Sequence, residues 1–140
     1  MPADSVKLVC YVVRDTMEYA EGDLYRVMVV AVGRDTLRVG IDRDRVNSVQ
    51  VRTARFTTVD SLRVGISLAR LRAYPAMEGG LGEGEYYVYD DVDPRTCGLS
   101  FRVDLGSRSL TSIPNGLVRD FPTDLLTLEI DQIFARGCYK

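Results

Sequence analysis

Two-residue alternation of apolar and polar side chains recurs along most of this chain, and it restricts the fold more than any other feature. Leu99, Phe101, Val103 and Leu105 fall on one side of an extended segment, while Ser100, Arg102 and Asp104 fall on the other. Successive side chains of a strand point to opposite faces, so this pattern predicts a strand with one covered and one wet side. The same period runs through Leu37, Val39 and Ile41 against Arg38 and Asp42, and through Val49, Val51 and Thr53 against Gln50 and Arg52. It returns in Leu126, Leu128 and Ile130 against Thr127, Glu129 and Asp131. One-sided burial of this kind belongs to antiparallel sheets. Val6 to Val13 and Val27 to Val32 are nearly continuous apolar runs, which predict strands covered on both sides. Periodicity alone does not separate such runs from buried helix.

Helical signals are few. In Asp15 to Tyr25, Met17, Tyr19 and Ala20 suit a short helix, but Glu21-Gly22-Asp23 interrupts it, so a loop or a broken helix is predicted. A helix is expected after Ser67, whose hydroxyl can cap it, with Ile66 and Leu71 in the positions of a hydrophobic staple. Leu68, Ala69 and Leu71 would form its buried face, Arg70 and Arg72 would stay in water, and Pro75 would end it. A helix this short is marginal alone and must lie on a sheet. Two long connections, 75–84 with Gly79, Gly80, Gly82 and Gly84, and 106–124 with Pro114, Asn115-Gly116 and Pro122, are expected on the surface.

At 140 residues and 46% hydrophobic, the chain is expected to bury one core in a single domain, 1–140. The predicted class is α+β, a mainly antiparallel sheet with one or two short helices packed on it. A faint internal likeness joins Val32-Gly-Arg-Asp-Thr-Leu-Arg-Val-Gly-Ile-Asp42 to Val92-Asp-Pro-Arg-Thr-Cys-Gly-Leu-Ser-Phe-Arg-Val-Asp104, each followed by a second alternating strand. It suggests half-domain repeats over 5–56 and 57–140, although any two antiparallel hairpins share this pattern.

Arg55-Phe56-Thr57-Thr58, then Asp60-Ser61-Leu62-Arg63-Val64-Gly65-Ile66-Ser67-Leu68-Ala69-Arg70-Leu71-Arg72, then Gly98-Leu-Ser-Phe-Arg-Val-Asp104 give the order strand exit, loop, glycine, short helix, strand. Over about residues 36–136 this resembles the small bacterial envelope domains related to the BamE/SmpA lipoproteins and the β-lactamase inhibitory protein. The resemblance implies a non-enzymatic protein-binding or assembly module built from short helices on antiparallel strands, often exported. The chain departs from the pattern in Pro75-Ala-Met-Glu-Gly-Gly80 after the helix and in having no lipidated cysteine at its start, so the family's membrane anchoring does not carry over, and neither does any binding residue.

The residue inventory argues against catalysis. There is no histidine, which removes the commonest general base and zinc ligand. Eighteen basic and twenty acidic residues give a net charge of -2, and the arginines are scattered, so no basic stripe for nucleic acid is present. No apolar run approaches the roughly 20 residues of a membrane-spanning helix. The opening Met-Pro-Ala-Asp-Ser lacks the basic and apolar regions of a signal peptide, and a form from which a signal was cleaved is also compatible with it. Asp90, Asp91 and Asp93 before Pro94 could offer oxygens to calcium, yet they lack the glycine and distal glutamate of the helix-loop-helix pattern and suit a turn without any cation. Gly79-Gly-Leu-Gly-Glu-Gly84 follows a helix and precedes a strand, the reverse of a phosphate-cradling order, so a flexible loop is expected. Glu83 and Glu85 could serve an acid–base pair only with a distant carboxylate that spacing does not identify. No metal and no cofactor is expected.

Three cysteines bear on location. If Leu105 faces Ile130 in a hairpin of the last two strands, Phe101 meets Phe134 and Cys97 meets Cys138 on the apolar face. A bridge there would close about 40 residues, worth on the order of 3–4 kcal/mol, and would imply an oxidising compartment. Two reduced buried thiols are the alternative, in which case the protein is cytoplasmic. Cys10 reads as a packing residue. Tyr87 and Tyr89 share one face of a strand; exposed, they would form a contact patch, and under the helix they would be core. Together with Phe121 they are the expected partner-binding residues. The expected function is a non-catalytic protein-binding or assembly module of the periplasm or cell envelope, an accessory subunit of a membrane-associated complex. A small-ligand-binding or carboxylate-dependent enzyme domain is the alternative.

Overall fold

The computed structural model describes residues 1–20 and 22–138. Its centre is a nine-stranded antiparallel sheet: β1 (Tyr11–Ala20), β2 (Asp23–Val32), β3 (Asp35–Asp42), β4 (Arg45–Val51), β5 (Glu78–Gly82), β6 (Glu85–Tyr89), β7 (Leu99–Asp104), β8 (Gly116–Leu117) and β9 (Glu129–Arg136). Helices α1 (Ala3–Val9) and α2 (Leu68–Leu71) are both short. The spatial order is β1-β2-β3-β4-β9-β7-β6-β5-β8, so the last strand of the chain lies in the middle, between β4 and β7. The expected α+β class is what the structure has.

Tight turns set the registers. Val32 pairs with Asp35, Asp42 with Arg45 and Gly82 with Glu85, leaving two residues in each turn. Arg43 and Asp44 take φ of 48° and 59°, and Glu83 and Gly84 take 50° and 77°. Positive φ at both central positions is the turn whose twist matches that of the flanking strands.

One face of the sheet is apolar across its middle strands, with the Asp15–Arg26 ion pair at its β1–β2 end. Cross-strand partners run Met28, Val39, Val49, Ala135, Leu99 along one row, and Val51, Ile133, Phe101, Val88 along the next. Two clusters cover this face. Ala3 and Val6 of α1 close over Met28, Val30, Val39 and Ile41. Leu68 and Leu71 of α2, with Leu62, Tyr74, Met77, Val118, Phe121 and Leu125 from the long connections, close over Tyr86, Val88, Phe101, Val103 and Ile133.

Several expectations are corrected. The run Val6–Val13 is not one strand: α1 ends at Val9 and β1 starts at Tyr11. Ala3 and Val6 stand three apart on one helical side, Asp4 sits in the first turn and Lys7 in the last, which suits the helix dipole. Asp15 to Tyr25 is a hairpin, neither loop nor broken helix; Gly22, at φ 83°, is a turn residue. Residues 75–84 are largely β5 and a hairpin turn. Gly79 is needed there, because an added Cβ would lie 1.9 Å from the Tyr86 hydroxyl, which crosses it to donate to the Pro114 carbonyl at 2.6 Å. The connection 106–124 includes three buried residues, Ile113, Val118 and Phe121, so it is part of the core and not only surface. The strand expected from Leu126 starts at Glu129, with Leu125 and Leu126 buried in the turn before it.

Helix α2 begins where expected, with Leu68 and Leu71 buried and Ala69 exposed. Ser67 holds the cap position but makes no side-chain cap. Backbone carbonyls replace it: the Leu68 and Ala69 amides donate to the Leu128 and Leu126 carbonyls at 2.9 and 3.0 Å. The free donors of the helix start are thus satisfied by the segment that leads into β9.

Candidate functional site

Among the described residues, no helix lies on the other face of the sheet. Its rows run Val29, Arg38, Gln50, Phe134, Ser100, Tyr89, and beside them Gln132, Arg102, Tyr87, Gly80. Twisted antiparallel sheets coil, and this one encloses an open trough of about 1030 Å3 whose lining includes Arg38, Gln50, Tyr87, Tyr89, Phe134 and Arg136.

Parity explains why the two tyrosines are here. Tyr86 and Val88 are fully buried under α2, so Tyr87 and Tyr89 must point the other way, where both are half-buried. Tyr89 is across the ladder from the Glu78 carboxylate, whose proximity, together with partial burial, raises the phenol pKa. Burial raises Tyr87, with Arg102 opposing the shift. Both phenols therefore remain neutral donors near pH 7. Phe134 lies in the same row as Tyr89, across Ser100, under the Arg136 guanidinium, 5.0 Å from the ring centre.

Several charges in and around the trough are compensated. Arg38 bonds Glu18, Arg102 bonds Asp131 at 2.7 Å, and Arg52 donates to the buried Gln132 at 3.0 Å. Paired charges between aromatic rings give a surface of mixed polarity, unlike the one-signed groove that holds a polyanion.

Phe121 is not part of this surface. It is 7% exposed in the cluster around α2, so the expectation that it meets a partner is corrected. Prolines and polar residues around it predicted a surface loop, but the 3-10 turns at 118–120 and 123–125 fold the aromatic ring inward. Phe134, missed by sequence reasoning, takes its place on the open face. The assumed hairpin register hid it: Phe101 pairs with Ile133 and Val103 with Ile130, across a bulge at Arg102/Val103, so Phe134 faces away from Phe101.

Cys97 and Cys138 are joined, with Cα atoms 5.3 Å apart. They border the trough and are not on the apolar face as the assumed register required. Cys10 is a free, half-buried thiol. The bridge ties the chain just after β9 to the turn before β7.

Asp90, Asp91 and Asp93 build that turn. Asp90, 2% exposed, accepts from the Val92 and Asp93 amides through one oxygen; Asp91 accepts from Gly98, and Asp93 clasps Arg95 at 2.7 Å. That clasp holds the Asp93 carboxyl down at about 2. Among the described residues, no group of three or more histidine, cysteine or carboxylate side chains is arranged to hold a metal. The acidic run acts as turn chemistry.

Arg95 also lies 4.6 Å over the Tyr74 ring, and the Tyr74 hydroxyl bonds Asp60. This clasp fastens the loop before α2 to the turn before β7, away from the trough. The second strongly lowered carboxyl, Asp15 at about 2, is held by Arg26 and Lys7. Both perturbed carboxylates thus belong to surface ion pairs and not to a cleft.

No family model matches the chain, and no curated protein matches it. Among solved structures it is similar to the crystal structure of the uncharacterized protein yfeY from Escherichia coli, with a TM-score of 0.66 and 16% sequence identity over 97% of this chain and 90% of that one. At that identity the likeness is one of fold. No helix among the described residues is long and apolar enough to cross a membrane.

Proposed function

We propose that this chain is a non-catalytic protein-binding module of the cell envelope, and that its recognition surface is the open face of the sheet. The observation that carries the reading is the placement of Tyr87, Tyr89 and Phe134 together in the open trough, half-buried, beside hydrogen-bonding neighbours. Tyrosine supplies apolar area with a polar tip at small entropic cost, the character of residues that dominate protein interfaces. The absence of histidine and the compensated charges favour recognition over turnover. The Cys97–Cys138 bridge supports an oxidising compartment, and the accessory role in a membrane-associated complex follows from the resemblance of the sequence to envelope assembly domains.

The trough volume supports a second reading, since about 1030 Å3 is at the upper end of small-ligand sites. One experiment separates the two. Affinity capture from the soluble and membrane fractions of the native source is run with the wild type and with Tyr87→Ala/Tyr89→Ala. Binding of the recovered protein to both purified forms is then measured. A loss of roughly tenfold or more in the variant supports the module. Unchanged affinity removes the open face as its site, and capture of a small molecule alone favours the ligand reading.

A further inference from the structure

The sheet ends differently on its two sides. At one edge β8 is two residues long; at the other, β1 is ten residues long, and no described strand pairs with its outer side. Tyr11, Val13, Met17 and Tyr19 of β1 are 76%, 57%, 53% and 77% exposed, and Leu8 and Val9 at the end of α1 prolong the apolar surface. A long edge with apolar side chains is a template for another strand, and proteins ordinarily blunt such edges with lysine, proline or short length. Here the strand has no lysine or proline and is not short; it carries a bulge between Val12 and Arg14 and three charged residues, Arg14, Asp15 and Glu18, each ion-paired within the chain.

We propose that β1 pairs antiparallel with β1 of a second copy of this chain, with Thr16 on the two-fold axis. The register follows from backbone geometry and charge. Ala20 and Asp23 are the last pair of the β1–β2 hairpin, with two residues between them. A two-residue turn closes on a hydrogen-bonded pair, and such pairs alternate along the ladder. The outward amides and carbonyls of β1 are then those of Asp15, Met17 and Tyr19. A symmetric antiparallel pairing must match these positions with one another.

Centres on Asp15, Thr16, Met17, Glu18 and Tyr19 do so; of these, Glu18 sets a carboxylate against its own copy and Tyr19 pairs only the end of the strand. Centring on Asp15 sets that carboxylate against its own copy. Centring on Met17 sets Arg14 against Ala20 and leaves Glu18 against Thr16, with no charge matched. Centring on Thr16 sets Arg14 opposite Glu18 of the second copy twice, Asp15 opposite Met17, and Thr16 opposite itself, with Val13 and Tyr19 flanking the run. Arg14 and Glu18 fall at non-hydrogen-bonded pairs, where side chains approach most closely. In the single chain they reach each other only along the strand, at 3.5 Å, with Glu18 also bonded to Arg38. Opposite charges directly across a ladder favour pairing and like charges oppose it.

The test uses the full chain with two independent readouts. Sedimentation equilibrium at about 100 µM, well above a micromolar dissociation constant, reports the dimer, and Arg14→Glu should raise its dissociation constant at least about tenfold. In a Cys10→Ala background, mild oxidation should cross-link Thr16→Cys, whose Cα atoms would stand about 4.5 Å apart on the axis, and leave Met17→Cys largely uncoupled. If Arg14→Glu misfolds by circular dichroism, the cysteine pair alone decides. A chain that stays monomeric at that concentration overturns the proposal, as does a foreign strand captured by a monomeric chain. Cross-linking of Met17→Cys as complete as that of Thr16→Cys overturns the register.

Discussion

Cutting the Cys97–Cys138 bridge gives the sharpest measure of how the central strand is held. Cys138 is exposed and Cys97 half-buried, so the double change Cys97→Ser/Cys138→Ser opens no large cavity and reports mainly the lost cross-link. The bridge spans a sequence separation of 41, and closing a loop of that size removes unfolded-chain entropy worth about 4 kcal/mol. Unfolding entropy near 60 °C is about 2.1 cal/mol/K per residue, which for this length makes about 0.3 kcal/mol per degree. The midpoint should therefore fall by roughly 13 °C in calorimetry. Serine substitution, in place of a reductant, leaves Cys10 untouched. A thiol titration of the unfolded, unreduced wild type should find one reactive cysteine. Three reactive thiols would refute the bridge. A midpoint lowered by less than about 3 °C would refute the entropy argument, because it would mean that the unfolded chain gains little freedom when the link is cut.

Two further outcomes follow from the same geometry. Asp15 and Asp93 are each lowered from 3.8 to about 2, by hydrogen bonds from Arg26 and Arg95 respectively. A carboxylate with a folded pKa below its unfolded one stabilises above the unfolded value, and that contribution fades as pH falls through the folded one. The urea midpoints of wild type and Arg95→Gln should thus differ near pH 6 and converge as pH falls from about 4 to 2; a constant gap over that range would contradict the pairing. Phe121→Ala should cost about 3–5 kcal/mol in urea unfolding, as for a core aromatic, whereas a change under about 1 kcal/mol would return Phe121 to the surface.

The sheet was legible in the sequence because its strands face water on one side. Leu99 to Asp104 and Leu37 to Asp42 alternate where the ladder requires it, and β7 and β3 lie there. Illegible segments are those where two elements share one apolar run or where a glycine has two meanings. Leu8 to Val13 joins the last turn of a helix to the first residues of a strand without a polar break. Gly22 and the glycines of β5 have the composition of interruptions, yet one supplies a positive φ in a turn and Gly79 makes room for the Tyr86 ring. Register was harder still. A single bulge at Arg102/Val103 shifts β9 against β7, and that shift decides which of Ile133 and Phe134 enters the core.

The trough was partly legible, by parity alone. Tyr86 and Val88 against Tyr87 and Tyr89 could be divided into two faces from sequence, but which face was open depended on where the rest of the chain goes. Both helices and the connections 52–77 and 105–128 contribute to the covers of the same side. That side has rows of Val, Ile, Phe and Leu, and each covered residue adds apolar area removed from water. The opposite rows interpose Arg38, Gln50, Ser100, Arg102 and Gln132 between the rings, and covering these without new partners would cost their hydration. The chain's limited non-strand length thus goes where burial is favourable. In the proposed reading, the face left open stays solvated alone and is buried favourably only by a partner that supplies matching donors and acceptors, which is the physical condition for selective recognition and not for aggregation.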